Sequence, residues 1–204
     1  LLRFQEKYPA VDVVVNEGRQ AQIAEMLHER ESELGILCWP NLEPLAVDLV
    51  PLLTMRERVP LVISADKAAK LSATPEIEEV LALVPRVISL IWWQVAPEAS
   101  TALTRRAPTS VELPTGPARR LAIKGEGIGF FVNSAVADDI AAGRLVEIQP
   151  VDIEPLHRDT AIVVRSLAAL ERPMLVDFIR EIAVECGRVG IILDSRLEDL
   201  LAAA

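Results

Sequence analysis

The chain has 204 residues, of which 51% are hydrophobic and 25% charged, a composition that suits a globular protein of one domain or two small lobes. Its net charge of −9 argues against direct DNA binding, which needs clustered Lys and Arg against the phosphates. No apolar run reaches the roughly 20 residues of a membrane span, and no signal peptide is visible. The two cysteines make no disulfide scaffold and no C-x-x-C motif, so a reducing cytoplasm is the expected location.

Strands and helices alternate along the first part of the chain. Val11–Val15 is a β-branched run of strand length, and Leu34–Cys38 and Pro60–Ser64 are two further apolar runs bounded by Pro, Asn or charged residues. Between them, Gln20–Arg30 carries its apolar side chains at helical spacing. This alternation predicts a parallel or mixed sheet with helices on its faces.

The same alternation continues to the end of the chain. The clearest amphipathic helix is predicted over Arg172–Glu185, where apolar residues follow an i, i+3, i+4, i+7, i+8 stripe. The other predicted helices are Ala65–Ala73, Pro75–Val84, Pro97–Arg106 and Asp194–Leu201. Further strands are predicted over Val87–Ile91, Ser110–Leu113 and Asp159–Arg165.

The segment Pro114–Ile148 is the most informative part of the sequence. Thr115–Gly116–Pro117 has the composition of a helix start, Gly125 is placed to end that helix, and Gly127 and Gly129 predict a tight turn into a buried strand. A second helix and the short strand Leu145–Ile148 follow. Because these glycines come after a helix and lead into a strand, they do not form a phosphate-binding loop, which requires the reverse order.

Within this segment, the residues GEGIGFFVNSAVADDIAAGRLVEI resemble the second subdomain of the effector-binding region of LysR-type transcriptional regulators. In that family a helix, a G-x-G-I stretch, a strand, a helix and a G-x-L-V stretch recur in this order. Leu1–Asn16 resembles the first helix of the family and the strand that follows it, Glu33–Pro40 its Asp-Leu-Ala-Ile strand, and Arg172–Ile182 its last conserved helix. The shared order of these short motifs carries the resemblance.

The resemblance implies an α/β fold of two Rossmann-like lobes joined by two crossing strands, as in type 2 periplasmic binding proteins. The crossing strands are expected near Leu61–Ser64 and Asp159–Val164. Lobe I is then formed by residues 1–63 and 160–204 and lobe II by residues 64–159. The winged helix-turn-helix of the family, and the first strand and loop of its first lobe, are absent from this sequence.

The resemblance also implies the function of a small-molecule sensor. An effector binds in the cleft between the lobes and controls how a homodimer or homotetramer is arranged on DNA, which only the missing amino-terminal domain contacts. Self-association is expected through the helix Gln20–Arg30 against Ser134–Ala142 of a partner. No cofactor, metal or membrane partner is implied, and the domain is not expected to be an enzyme.

The expected effector is a small anion, because two arginines occupy the first turn of the helix that begins near Pro117. Positive charge there opposes the helix dipole by roughly 0.3–1 kcal/mol and favours a compensating anion. Ser89–Trp93 ends a strand that lines the cleft in the family, and Trp39 follows the matching strand of the other lobe. The predicted effector-binding residues are Trp39, Ser89, Trp92, Thr115, Gly116, Arg119 and Arg120.

Several alternatives stay open at this stage. The two arginines can equally be solvated surface groups, and the tryptophans can serve in packing. Cys38 has the position of a redox sensor, but it lacks a nearby basic cluster or a second cysteine. His28 and His157 show no zinc-ligand spacing, and a G-x-S-x-G elbow is missing. The competing functions are a free-standing solute-binding protein of the same fold and, less favoured, an enzyme built on that fold.

Overall fold

The computed structural model describes residues 1–91 and 97–203, which contain alternating helices and strands. The helices are α1 Leu2–Lys7, α2 Gln20–His28, α3 Ala65–Ala68, α4 Ile77–Leu83, α5 Glu98–Arg106, α6 Thr115–Ile123, α7 Asn133–Ala141, α8 Pro173–Val189 and α9 Leu197–Ala203. The strands are β1 Gly35–Cys38, β2 Val50–Val59, β3 Leu61–Ser64, β4 Arg86–Leu90, β5 Thr109–Leu113, β6 Ile128–Phe130, β7 Leu145–Ile148, β8 Leu156–Val164 and β9 Gly190–Ser195. Two short 3₁₀ helices lie at Pro44–Ala46 and Leu167–Glu171.

The chain forms two compact units, of which the second is the continuous segment Glu57–Arg158. The first unit combines Leu1–Arg56 with the segment from Asp159 onward. The strands β2 and β8 each have residues in both units, so they are the two segments that cross. The expectation of a crossing at Leu61–Ser64 was wrong, because that strand lies wholly inside the second unit.

The first unit is built on a four-stranded sheet in the order β1-β8-β2-β9. β1 runs antiparallel to β8, with Gly35 opposite Val163 and Cys38 opposite Thr160. The helix α2 approaches β1 so closely that a Cβ added at Gly35 would lie 2.8 Å from a methyl carbon of Leu27. A larger residue at this position would therefore crowd the side chains of Leu27 and Ile23 where α2 packs on β1.

The second unit is built on a five-stranded sheet in the order β5-β4-β6-β3-β7. β4 is parallel to β5 and β6, whereas β3 is antiparallel to β6 and β7. Its core holds buried side chains from α4, α5, α6 and α7 on the sheet, including Ile77, Leu103, Ala118 and Val136. This is the mixed sheet with helices on its faces that the alternating pattern predicts.

The glycines of the central segment act in two ways. Gly125 and Gly143 have φ of 70° and 67° and end α6 and α7 in the left-handed conformation that favours glycine. Gly127 and Gly129 do not form a tight turn, contrary to the prediction. A Cβ at either position would lie within 3 Å of Ile88, so these two glycines let β6 lie directly beside β4.

Three further features differ from the sequence-based expectations. Val11–Val15 is not a strand, and Val14 and Val15 are exposed, because no described strand lies beside this run to pair with its N–H and C=O groups. The strands β2 and β9 were not predicted at all. Helix and strand boundaries elsewhere differ from the predictions by a few residues, the largest difference being α3, which ends at Ala68 rather than Ala73.

Candidate functional site

The parallel strands of the second unit bring several predicted site residues to one edge of its sheet. β4 and β5 are in register with Ser89 opposite Glu112 and Leu90 opposite Leu113. The carboxyl ends of the two strands therefore meet at the same edge. Ser89 lies one residue before the end of β4, and Thr115 lies two residues after the end of β5. Open α/β sheets bind ligands at this type of edge.

The helix α6 begins at this edge with Thr115 as its first residue and Pro114 as its N-cap. The sequence predicted Thr115 or Gly116 as the cap and Pro117 near the first position, so the helix starts earlier than expected. Pro114 has no side-chain oxygen to cap the first turn, and no side-chain cap is present. Gly116 is exposed in that turn, where backbone N–H groups have no acceptor within the helix.

Arg119 is held inside the unit by the carboxylate of Asp139 on α7. The Asp139 side chain is fully buried and forms ion pairs with Arg119 and with Arg144. Its Oδ1 accepts from Arg144, at 2.6 Å from Nη2 and 2.7 Å from Nε of that residue. Burial alone would raise the pKa of Asp139. The hydrogen bonds and charges of the two arginines outweigh that effect and hold the pKa below its ordinary value of 3.8. Arg119 therefore joins α6 to α7.

Arg120, the next residue, has a different environment. Its side chain is exposed, and it forms no ion pair or hydrogen bond with the described residues. Its Nη1 lies 3.8 Å from the position that a Cβ on Gly116 would take. The guanidinium thus folds back over the first turn of α6, one turn from its own Cα. An uncompensated positive charge and the first-turn backbone amides are close together there.

The helix α7 begins at the same edge, because β6 is parallel to β4 and α7 follows β6. Its first turn is already occupied by a protein anion. Ser134 donates its backbone N–H to Oε2 of Glu57 at 3.2 Å, and the buried Glu57 also accepts from Nη2 of Arg158 at 2.7 Å. Glu57 and Arg158 do not stand out as a pair in the sequence, because 101 residues separate them.

The remaining predicted site residues are the two tryptophans. Trp39 belongs to the first unit, where it is partly buried against the cluster that contains Ala24, Leu27 and Leu37. Its backbone N–H donates to the carbonyl of Asp159 at 2.9 Å. Its peptide bond with Pro40 is cis. Trp92 lies outside the described residues. The role of both tryptophans in binding an effector stays a prediction.

Other chemistry is sparse in residues 1–91 and 97–203. They contain no group of three or more His, Cys, Asp or Glu side chains placed to hold a metal ion. Cys38 and Cys186 do not form a disulfide with each other, and Cys38 donates its backbone N–H to the side chain of Gln20 at 2.8 Å. No helix in this part of the chain has both the length and the apolar character needed to cross a membrane.

Comparison with known families gives a match over most of the chain. The model of the LysR substrate binding domain matches residues 1–185. A search of curated protein sequences finds no match. Several solved structures match this chain at low sequence identity.

The regulatory domain of CrgA, a LysR-type transcriptional regulator from Neisseria meningitidis, is 19% identical with a TM-score of 0.62 and is aligned over 91% of this chain and 89% of that one. The C-terminal domains of a LysR family protein from Agrobacterium tumefaciens are 22% identical with a TM-score of 0.55, over 86% of each chain. Full-length LysG from Corynebacterium glutamicum, solved with bound effector Arg, is 13% identical with a TM-score of 0.58, over 93% of this chain and 63% of that one. These similarities confirm the predicted periplasmic-binding-protein-like fold.

Proposed function

Since this chain belongs to the family of LysR substrate-binding domains, the effector-sensing domains of transcriptional regulators, we propose that its effector is a small anion held at the start of α6. The contacts would come from the guanidinium of Arg120 and the exposed backbone at Gly116, with Thr115 and Ser89 beside them. Arg119 is left out of this set because Asp139 already engages it. The location of the effector between the two lobes stays a prediction.

One observation supports this proposal more than any other: Arg120 carries an unpaired charge over the first turn of a helix that lacks a side-chain cap. The positive end of the helix dipole and an arginine repel each other, and an anion between them relieves the repulsion. The start of α7 supports the argument by analogy, because the carboxylate of Glu57 accepts the backbone N–H of Ser134 in the first turn of that helix. A carboxylate or phosphate group of the effector would take the equivalent place.

The experiment is a calorimetric titration of the protein with a panel of amino acids and short dicarboxylates. For the compound that binds, Arg120→Gln should weaken binding at least tenfold, because a hydrogen bond to a charged group contributes about 1.5–3 kcal/mol. Lys124→Gln is the matched control, since Lys124 is an exposed cation at the opposite end of α6. Equal affinities of Arg120→Gln and the parent protein would rule out this anchor.

We further infer the biological setting from the family. The chain acts as the sensing part of an oligomeric, cytoplasmic regulator and has no catalytic activity of its own. Self-association through α2 would use Ile23 and Met26, which are partly exposed, whereas Leu27 is buried in the core of its own unit. Sedimentation at high micromolar concentration should show a dimer or tetramer, and Met26→Lys should shift it toward the monomer. A strict monomer would contradict this part of the proposal.

A further inference from the structure

The first unit contains a cavity that the function proposed above does not use. It has a volume of about 350 Å³, at the lower end of the range for small-molecule sites. Leu27 and Ala169 contribute apolar surface, and Ser32 and Ser166 bring hydroxyl groups to its wall. We refer to it as the basic pocket because its charged lining residues are Arg30, Glu33, Arg165 and Arg172.

The basic pocket is distinct from the position of Trp39 in the same unit. β1 runs from Gly35 opposite Val163 to Cys38 opposite Thr160. Arg165 follows Val163 by two residues and so lies beyond the start of β1, whereas Trp39 follows Cys38 at the other end. The two features therefore lie at opposite ends of one pair of strands.

The charge of the basic pocket is opposite in sign to that of the whole protein. Three arginines and one glutamate give its lining a formal charge of +2, whereas the chain as a whole carries −9. Only Arg172 is paired, with Glu33. Arg30 and Arg165 form no ion pair or side-chain hydrogen bond with any described residue. An acidic protein that keeps two unpaired guanidinium groups at one cavity concentrates positive potential there.

The backbone at Arg30 is a second, independent observation. Arg30 has φ of 63° and is the one non-glycine residue with positive φ in the described part of the chain. Arg30 ends α2 in a Schellman motif. The N–H of Glu31 donates to the carbonyl of Met26 at 2.9 Å, and the N–H of Arg30 donates to the carbonyl of Leu27 at 3.3 Å. Glycine adopts this conformation without strain, as Gly125 and Gly143 do at the ends of α6 and α7. A charged cavity-lining residue kept in a conformation that favours glycine supports a functional role for the basic pocket.

We propose that the basic pocket is a second ligand site, which binds a small doubly charged oxyanion such as phosphate or a short dicarboxylate. Arg30 and Arg165 supply the two free guanidinium groups, which suit oxyanions because each offers several N–H donors in a fixed plane. Ser32 and Ser166 provide hydroxyl donors. A charge of −2 neutralises the +2 of the lining. Since the site lies within the first unit, it is separate from the effector site proposed at α6.

The test is a calorimetric titration of the whole chain with inorganic phosphate, and then with succinate, at neutral pH and low ionic strength. One saturable site per chain is expected for at least one of the two probes. Arg165→Gln and Arg30→Gly should each weaken that binding at least tenfold. Arg30→Gly should also fold normally, because glycine fits the left-handed position.

Two control variants make the outcome decisive. Arg196→Gln removes an exposed arginine of the first unit near β9, at the far edge of the sheet from β1, and should leave binding unchanged. Arg120→Gln should also leave it unchanged. If Arg120→Gln abolishes binding while Arg165→Gln does not, the anion binds at α6 and the second site is refuted. Equal weakening by Arg196→Gln, or no saturable binding of either probe, would refute it as well.

Discussion

Replacing Arg119 by glutamine removes one of the two guanidinium groups that hold the buried carboxylate of Asp139. Arg144 stays in place, so the carboxylate keeps a partner, but it loses a charged hydrogen bond and part of the charge that compensates its burial. Glutamine retains much of the aliphatic stem and therefore the packing. Arg120→Gln, one position along the same helix, is the natural comparison because it removes the same group from an unpaired, exposed site.

The size of the effect follows from the burial of each partner. Asp139 is fully buried, whereas the Arg119 side chain is 38% exposed. A hydrogen bond to a charged group contributes about 1.5–3 kcal/mol, and partial exposure of the donor favours the lower part of that range. A loss of about 2 kcal/mol should lower Tm by about 4–8 °C in a chain of this length. Arg120→Gln should change the free energy of unfolding by less than about 0.5 kcal/mol.

The effect should depend on pH in a defined direction. Because the folded protein holds the pKa of Asp139 below 3.8, the ion pair stabilises the fold above that pH, and the stabilisation is lost as pH falls through the lowered pKa. The difference in stability between the parent protein and Arg119→Gln should therefore be constant from pH 7 to pH 5 and shrink in more acidic solution. Urea unfolding followed by circular dichroism at several pH values measures it.

Two results would contradict the structural role of Arg119. An Arg119→Gln variant with an unchanged Tm and weakened effector binding would show that Arg119 contacts the ligand and that its pairing with Asp139 contributes little. A stability difference that already shrinks as pH falls from 7 to 5 would also contradict the account, because the carboxylate would then gain its proton in that range.

Further predictions concern packing and buried charge. Gly129→Ala should destabilise the second unit by about 2–3 kcal/mol, because the new Cβ would lie 2.6 Å from a carbonyl oxygen of β4. Gly187→Ala should instead stabilise the protein by about 0.5–1 kcal/mol, since it is a helical position with open space around the Cβ. Arg158→Ala should cost about 3–5 kcal/mol because it leaves the buried Glu57 without its cation, whereas Arg105→Ala, which breaks an exposed pair, should cost less than about 1 kcal/mol. Chemical unfolding of the four variants side by side checks all of these values.

The parts of the fold that sequence reasoning found correctly are those specified by local signals. Gly125 and Gly143 end their helices because a positive φ is needed there, and both positions follow apolar helical spacing. Leu145–Ile148 is a strand with the predicted bounds. Such signals lie within a few residues of the structure they specify, so a single sequence contains them.

Strand β2 is an element that the sequence pattern did not predict. Its second half alternates buried and exposed residues from Met55 to Val59, which is an ordinary strand pattern. One of the buried positions is Glu57, so the hydrophobic alternation is broken in the sequence. Glu57 is compensated by Arg158, far along the chain, and that partner is visible only once the strands are in place.

The candidate site shows the same division. The sequence identifies the start of α6 and its pair of arginines, but Arg119 and Arg120 are equivalent in the sequence. The packing of α7 against α6 makes them different, because it brings Asp139 to Arg119 and leaves Arg120 exposed. The cation that remains for a ligand is therefore a tertiary property.

A crystal structure of this chain with its bound effector tests the central claim most directly. The account predicts an anionic group of the effector within hydrogen-bond distance, about 2.7–3.2 Å, of both the Arg120 guanidinium and the Gly116 N–H. It also predicts that Arg119 still pairs with Asp139 in that complex. An effector bound without any contact to the first turn of α6, with Arg120 left in solvent, would contradict the account.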